Sequence, residues 1–335
     1  MDLEELKDYL SIKYEIQVHD ITPIKNVVKI YTDTGIKCLK RVKFDKKTFL
    51  FILSAMTHLI QKGFNEVLSP ELTKDGEMYI KLDNGFGFLT EWVLSRECNY
   101  LNPVDLKLAA STLGRLHRCS SDFNPIENID DRIIWGKWIE RFTYRTLQIK
   151  KFKSIIEAKN NRTYFDRVYI ENCDYFIDEA LKSIEHLKEA DYLKISLERS
   201  KSKCFCHHDY ANHNVLISED LKVNIIDFDY LICNMPIHDV CSLIIRNMRH
   251  GNYDMDKAQY IVDCYLKTGD IYKDELYLMN SFMEFPQDFW QVGLQYYIER
   301  LSWDEERFNK RLTKAVNDKK DRSEFLNEFK HSIII

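Results

Sequence analysis

His207-His208-Asp209-Tyr210-Ala211-Asn212-His213-Asn214-Val215-Leu216-Ile217, followed by Ile225-Ile226-Asp227-Phe228-Asp229, is the stretch from which the rest of this chain is read. Val215 to Ile217 and Val223 to Ile226 are short apolar runs separated by the polar turn Ser218-Glu219-Asp220. That pattern predicts a tight hairpin. Asp209 and Asn214 flank a loop ending where the first strand begins, and Asp227 sits where the second strand ends. The hairpin therefore brings Asn214 and Asp227 side by side at its open end. Two carboxylates and an amide oxygen form a hard-oxygen set suited to Mg²⁺, which takes one or two carboxylates and completes its shell with phosphate and water. Asp209 stands where it could accept a proton from a hydroxyl nucleophile. The plainer alternative is a pair of strand ends capped by Asx side chains.

Outward from this hairpin the chain divides in character. Residues 2–14 place Leu3, Leu6 and Leu10 at helical spacing. Val27 to Tyr31 and Ile36 to Val42 read as strands joined by Asp33-Thr34-Gly35, and an apolar helix follows over Lys47 to Lys62, stopped by Gly63. Met78 to Leu82 and Phe88 to Val93 read as two more strands around Asp83-Asn84-Gly85. This is a small α+β unit of residues 1–90. From 91 to 335 the pattern is mainly helical. It begins with Asn102 capping a helix whose first residue is Pro103, continues through a charged helical stretch over 138–200, and is interrupted by the 205–229 hairpin region.

The chain has 335 residues, 45% hydrophobic and 30% charged, with a net charge of −5, a globular composition. Its mildly acidic balance argues against a nucleic-acid partner. Its longest apolar run, Phe49 to Met56, is too short to span a bilayer. The acidic start Met1-Asp2-Leu3-Glu4-Glu5 is unlike a signal peptide, so synthesis in the cytoplasm without a leader is expected. Nine cysteines at irregular spacing read as reduced, mostly buried thiols, including Cys204 and Cys206 on one strand face.

The central stretch resembles the catalytic loop and metal-binding Asp of the protein-kinase-like superfamily, in its aminoglycoside and choline phosphotransferase branch. With Leu89-Thr90-Glu91-Trp92, Arg96-Glu97-Cys98, Leu116-His117 and Trp135-Gly136-Lys137-Trp138, the chain more specifically resembles the CotS family of spore coat proteins. The resemblance runs over about residues 25–300. It implies a bilobal kinase-like fold, ATP and Mg²⁺ as cofactors, and phosphoryl transfer to a small-molecule hydroxyl. Other spore coat proteins are implied partners and the spore coat an implied location. Carried over by position, Asp209 is the catalytic Asp, Asn214 and Asp227 are the metal ligands, and His207 is a structural loop histidine. Asp239 braces the loop, and His208 stands where relatives commonly have Gly. Lys40 matches the strand lysine that contacts phosphate, and Thr90, Glu91 and Trp92 match the adenine-side hinge. Asp229 alternates with Phe228 and is expected to reach the cleft.

Two features depart from that pattern. No Gly precedes Gly35, so the region of the glycine-rich loop reads Thr22-Pro23-Ile24-Lys25-Asn26. The helix that should offer Lys40 a Glu reads Phe49-Leu50-Phe51-Ile52-Leu53-Ser54-Ala55-Met56, and the nearest acid is Glu66. Both departures favour a second reading, a catalytically weak or inactive kinase-shaped component of the coat. Among the C-terminal helices Phe282, Phe285, Phe289, Trp290, Tyr296 and Tyr297 occur with Glu284, Asp288 and Glu299. They read as a core aromatic stripe or, alternatively, as a pocket for a cationic substrate.

Overall fold

A computed structural model of the chain describes residues 2–249 and 251–333. Helix α1 (Leu3–Lys13) starts in a capping box, with Asp2 accepting from the Glu5 amide and Glu5 accepting from the Asp2 amide. Five antiparallel strands follow, interrupted by helix α2 (Lys46–Gln61): β1 (Val18–Ile24), β2 (Val27–Thr32), β3 (Gly35–Val42), β4 (Ile80–Leu82) and β5 (Gly85–Glu91), in the order β1-β2-β3-β5-β4.

Strand β1 lies outside the pattern read from the sequence. Only Val18 of its seven residues is buried and it contains Pro23, so it carries no apolar alternation. As an edge strand it is held by its ladder with β2 rather than by burial. The β2–β3 hairpin has its turn at Asp33 and Thr34, with Gly35 at φ 122°.

One sheet face packs Val28, Ile30, Leu39 and Leu89 on Leu6, Leu10 and Tyr14. The other face adjoins α2, where Phe49 stacks on Phe86 with ring centroids 4.9 Å apart. Helix α2 also turns Phe51 onto Phe123 at 5.7 Å, so it belongs to the large core that continues through the helical lobe. Burial of Phe49, Phe51, Ile52 and Leu59 ties the two lobes together, each such side chain contributing about 1.5–3 kcal/mol.

The second lobe carries β6 (Arg96–Glu97) and α3 (Pro103–Cys119). The charged stretch resolves into α4 (Trp138–Glu157), α5 (Tyr164–Glu189) and α6 (Tyr192–Ser200). Strands β7 (Val215–Ile217) and β8 (Val223–Ile225) pair with β6 in the order β6-β7-β8. Helices α7 (Ile237–Met248), α8 (Met255–Leu266), α9 (Lys273–Glu284), α10 (Gln287–Tyr297), α11 (Glu305–Asn317) and α12 (Lys319–Ile333) complete the lobe. Helix α3 approaches the end of α8 so closely that a Cβ on Gly114 would lie 2.7 Å from the Gly269 amide nitrogen. That approach positions His117, one turn further along α3, beneath the loop that precedes β7.

The nine cysteines are free thiols, all buried except the partly buried Cys38 and Cys119. Among the described residues no helix is long and apolar enough to cross a membrane.

Candidate active site

The loop preceding β7 is held from below by α7. Asp239, fully buried in the first turn of that helix, accepts from the His207 amide at 2.7 Å and from the His208 amide at 3.1 Å. His117 Nε2 lies 3.3 Å from the same carboxylate and His238 Nδ1 lies 3.2 Å from it. Burial opposes its ionisation, but the His117 and His238 contacts outweigh that and hold its pKa far below the usual carboxylate range. Seven residues along the same helix face, Arg246 NH2 donates to Asp209 Oδ1 at 2.7 Å. One helix face thus fixes both the loop backbone and its carboxylate.

His207 is buried against Phe228, with ring centroids 4.8 Å apart, and its Nε2 lies 2.9 Å from the Ile226 carbonyl. A carbonyl only accepts, so Nε2 carries the ring proton. Burial lowers the pKa of this ring and keeps it neutral. Asn214 Nδ2 donates to the Asp209 carbonyl at 2.9 Å and to Asp209 Oδ2 at 3.2 Å. Among the described residues its Oδ1 accepts no hydrogen bond. The Ile226 amide donates to the Asn214 carbonyl at 3.0 Å, which sets Asp227 beside Asn214 at the mouth of the hairpin.

Asp227 takes a left-handed conformation, φ 65° and ψ 61°, costing about 1–2 kcal/mol for a non-glycine residue. Its Oδ1 lies 2.9 Å from Lys40 Nζ, and Asp229 Oδ2 lies 3.0 Å from the same nitrogen. Burial works against the Lys40 charge, but Asp229 and Asp227 outweigh it, and the lysine pKa rises. Burial raises the Asp229 pKa, reinforced by Asp227 beside it. Asp227 is also buried, but Lys40 holds it below the usual range. Arg132 fastens the following turn, donating to the Asp229 carbonyl at 2.7 Å and the Leu231 carbonyl at 2.9 Å.

Lys40 faces Val27 across the β2–β3 ladder. The Lys25-Asn26 tip of the β1–β2 hairpin therefore lies at the Lys40 end of the sheet, with Lys25 left-handed at φ 51°. Helix α2 supplies no acid to Lys40, and Glu66 is paired with Arg115. Thr90 and Glu91 lie opposite Cys38 and Lys37. The Glu91 side chain is engaged by Lys37 at 2.6 Å, which also holds Glu71 at 2.5 Å. The Trp92 amide donates to the Ile36 carbonyl at 3.0 Å, so the hinge segment is tied to β3.

The structure therefore gathers Lys40, His207, Asp209, Asn214, Asp227, Asp229 and Asp239 around one hairpin, with Thr90, Glu91 and Trp92 at the neighbouring sheet edge. Arg246 and Arg132 were not singled out by sequence reasoning, and His117 was noticed without a role. Arg246 reaches Asp209 across 37 residues of chain, Arg132 reaches Asp229 across 97 and His117 reaches Asp239 across 122, and none sits in a local pattern that marks it. The carboxylate-and-amide set fits a Mg²⁺ ion in its donor chemistry, with an uncommitted Asn214 oxygen beside two acids.

His208 occupies φ 69°, the left-handed region that glycine favours. Its ring stacks on His238 at 4.9 Å. Burial, with His238 adding to it, pushes its pKa down to about 3. The unfolded chain takes this proton near pH 6.5. Stability is therefore full above that pH and falls as pH drops towards 3. His208→Gly is expected to reduce this acid slope by up to about 1.4 kcal/mol per pH unit, the value for one proton. Urea midpoints between pH 7 and 4 measure it, and parallel slopes for the two proteins would overturn the assignment.

Over residues 7–329 the chain matches the family described as "Spore coat putative kinase YutH". It is 21% identical over 308 residues to spore coat protein S of Bacillus subtilis (strain 168), covering 91% of this chain and 86% of that one. Among solved structures it is similar to an aminoglycoside phosphotransferase from Alicyclobacillus acidocaldarius subsp. acidocaldarius. The TM-score is 0.83 at 18% identity, covering 96% of this chain and 94% of that one. It is also similar to a spectinomycin phosphotransferase in complex with ADP and spectinomycin, with TM-score 0.67 at 16% identity, covering 98% and 99% of the two chains. These likenesses show a bilobal kinase-like fold with a small β-rich lobe and a large helical lobe.

Proposed function

The chain belongs to the spore coat YutH/CotS family of kinase-like proteins, and from that premise we propose that it is a spore coat-associated phosphotransferase that moves the γ-phosphoryl group of ATP to a hydroxyl acceptor. The observation that carries this reading is the meeting of Lys40, Asp227, Asn214 and Asp209 around one hairpin, from positions up to 187 residues apart. Asp227 and Asn214 would hold Mg²⁺, which neutralises charge on the phosphates when bound. Lys40 is the cation for the nucleotide phosphates. Asp209 takes the proton from the acceptor hydroxyl as its oxygen bonds to phosphorus and the bond to the β–γ bridging oxygen breaks. Arg246 and Asn214 hold the two Asp209 oxygens and fix the direction in which that proton is received. Solved neighbours carrying ADP or AMP-PNP support a nucleotide in this cleft.

A second reading has its own support. The site acids are already matched by protein cations, Asp209 by Arg246 and the Asp227–Asp229 pair by Lys40. The tip beside Lys40 has Lys25 and Asn26 in place of glycine, which makes close backbone approach to phosphate harder. A kinase-shaped coat component without turnover would keep these features.

Calorimetric titration with ATP, with and without Mg²⁺, separates the two. Saturable, Mg²⁺-dependent binding is expected, weakened at least about 100-fold by Asp227→Ala, the cost of removing a charged metal ligand. No binding at millimolar ATP would leave only the coat component.

A further inference from the structure

The acceptor side of the catalytic loop is lined by arginines. On α7, Arg246 pairs with Asp209 at 2.7 Å, and just past the end of that helix Arg249 pairs with Asp288 at 2.8 Å. On α4, Arg141 and Arg145 lie one turn apart and are both partly buried. Among the described residues neither has a carboxylate within ion-pair distance. Arg145 donates to the neutral Gln287 Oε1 at 2.7 Å and lies 4.4 Å over the Trp290 ring, whose Nε1 is fixed by Gln148 at 2.8 Å. The Arg141 guanidinium makes no hydrogen bond to a described residue. Burial, with Arg141 beside it, pushes the Arg145 pKa down to about 10. Asp131 and Glu140 act on Arg141 from beyond ion-pair distance, whereas among the described residues the one charge acting on Arg145 is that of Arg141, and a partly buried cation next to a like charge is unfavourable until an anion joins it.

These two side chains stand close to the proposed chemistry. Helix α4 begins at Trp138, whose ring lies 6.3 Å from His238, and His238 stacks at 4.9 Å on His208, the neighbour of Asp209. The charges of Arg141 and Arg145 both act on the His208 ring. With Glu140, Tyr144 and Trp290 they line a groove of about 490 Å³, in which the two guanidinium groups outnumber the one carboxylate, within the size range of small-molecule sites. Two of the acids that would suit a cationic acceptor are engaged elsewhere, Glu284 by His186 at 2.6 Å and Asp288 by Arg249. Phe285 and Phe289 are core residues.

We propose that the acceptor carries an anionic group, phosphate or carboxylate, seated between Arg141 and Arg145 while its hydroxyl is presented to Asp209. The proposal rests on the phosphotransferase reading above. Trp290 lies under the Arg145 guanidinium and limits its motion, and a guanidinium can offer two parallel N–H groups to a carboxylate or phosphate.

The test titrates inorganic phosphate and citrate, as phosphate and carboxylate probes, into the full chain by calorimetry, using wild type, Arg141→Gln, Arg145→Gln and the double variant. Saturable binding of one or both probes is expected, weakened at least tenfold in the double variant and unaltered in Lys40→Met. Equal binding by wild type and double variant overturns the proposal, as does loss confined to Lys40→Met. Arg141→Gln removes no hydrogen bond to a described residue and keeps the test open if the Arg145 variants fail to fold. A turnover panel of phosphorylated polyols, hydroxy acids and amino alcohols forms the second arm. The expected result is turnover of an anionic class, with KM raised at least tenfold in Arg141→Gln and kcat changed less than threefold. Turnover of amino alcohols alone overturns the proposal. Loss of the phosphotransferase reading shows separately, as absent Mg²⁺-dependent ATP binding, while the probe titrations still report on the arginines.

Discussion

Asp239→Ala is expected to destabilise the protein by about 3–5 kcal/mol, the range for breaking a buried charged network by removing one partner. The carboxylate is fully buried and receives the His207 and His208 amides as well as contacts from His117 and His238. Removing it strands two backbone donors and two imidazoles away from water. Asp239→Asn keeps one acceptor oxygen and should lose roughly half as much. The same group makes a pH prediction. Its folded pKa lies far below the unfolded value of about 3.9, so its stabilisation is present above that value and is lost as pH falls below it. Urea midpoints at pH 7 for the three proteins decide the matter. A wild-type midpoint for Asp239→Ala would mean that the loop is held by something other than α7.

Asp209→Asn is expected to cut phosphoryl transfer by about 10²–10⁴-fold, the usual contribution of a positioned general base. The amide is isosteric, can still accept from Arg246, and leaves Lys40, Asn214 and Asp227 in place. Mg²⁺-dependent ATP affinity should therefore stay within about threefold of wild type, and thermal unfolding should shift little, since what changes is a partly exposed ion pair and the 3.2 Å contact from Asn214 Nδ2, whose bond to the Asp209 carbonyl remains. The contrast with Asp227→Ala, where binding itself is lost, separates the carboxylate that serves the acceptor from the one that serves the metal. Turnover within a factor of ten of wild type would remove Asp209 from the mechanism.

The two kinase-pattern departures seen in the sequence take on physical form in the structure. Without an acid on α2, Lys40 turns to Asp227 and Asp229, so the lysine proposed for phosphate and the acid proposed for the metal neutralise one another across the cleft. Nucleotide phosphates and Mg²⁺ would each supply the counter-charge that the other's ligand gives up. Binding of the two is thus expected to be coupled, which is why the titration with and without Mg²⁺ is informative. His208 holds a left-handed backbone of the kind that glycine favours. Its strain is held in place by Asp239 below and His238 beside it.

By itself the sequence determined what is set within a few residues or by a repeating pattern. The hairpin of β7 and β8 follows from two apolar runs around a polar turn. The capped start of α3 follows from Asn102-Pro103, and α2 follows from an apolar run ended by Gly63. The gathering of Asp209, Asn214 and Asp227 follows from that hairpin, because strand pairing converts short sequence separation into contact. Tertiary structure alone decided β1, which has an edge ladder but almost no buried face to leave a pattern. It also decided that Arg246 holds Asp209, that Lys40 bridges Asp227 and Asp229, and that Arg145 meets the neutral Gln287 rather than a carboxylate. Charges carry no periodicity of their own. Which cation meets which carboxylate depends on where α4, α7 and β3 come to rest against the loop, and that is settled by the packing of the whole lobe rather than by any local stretch of chain.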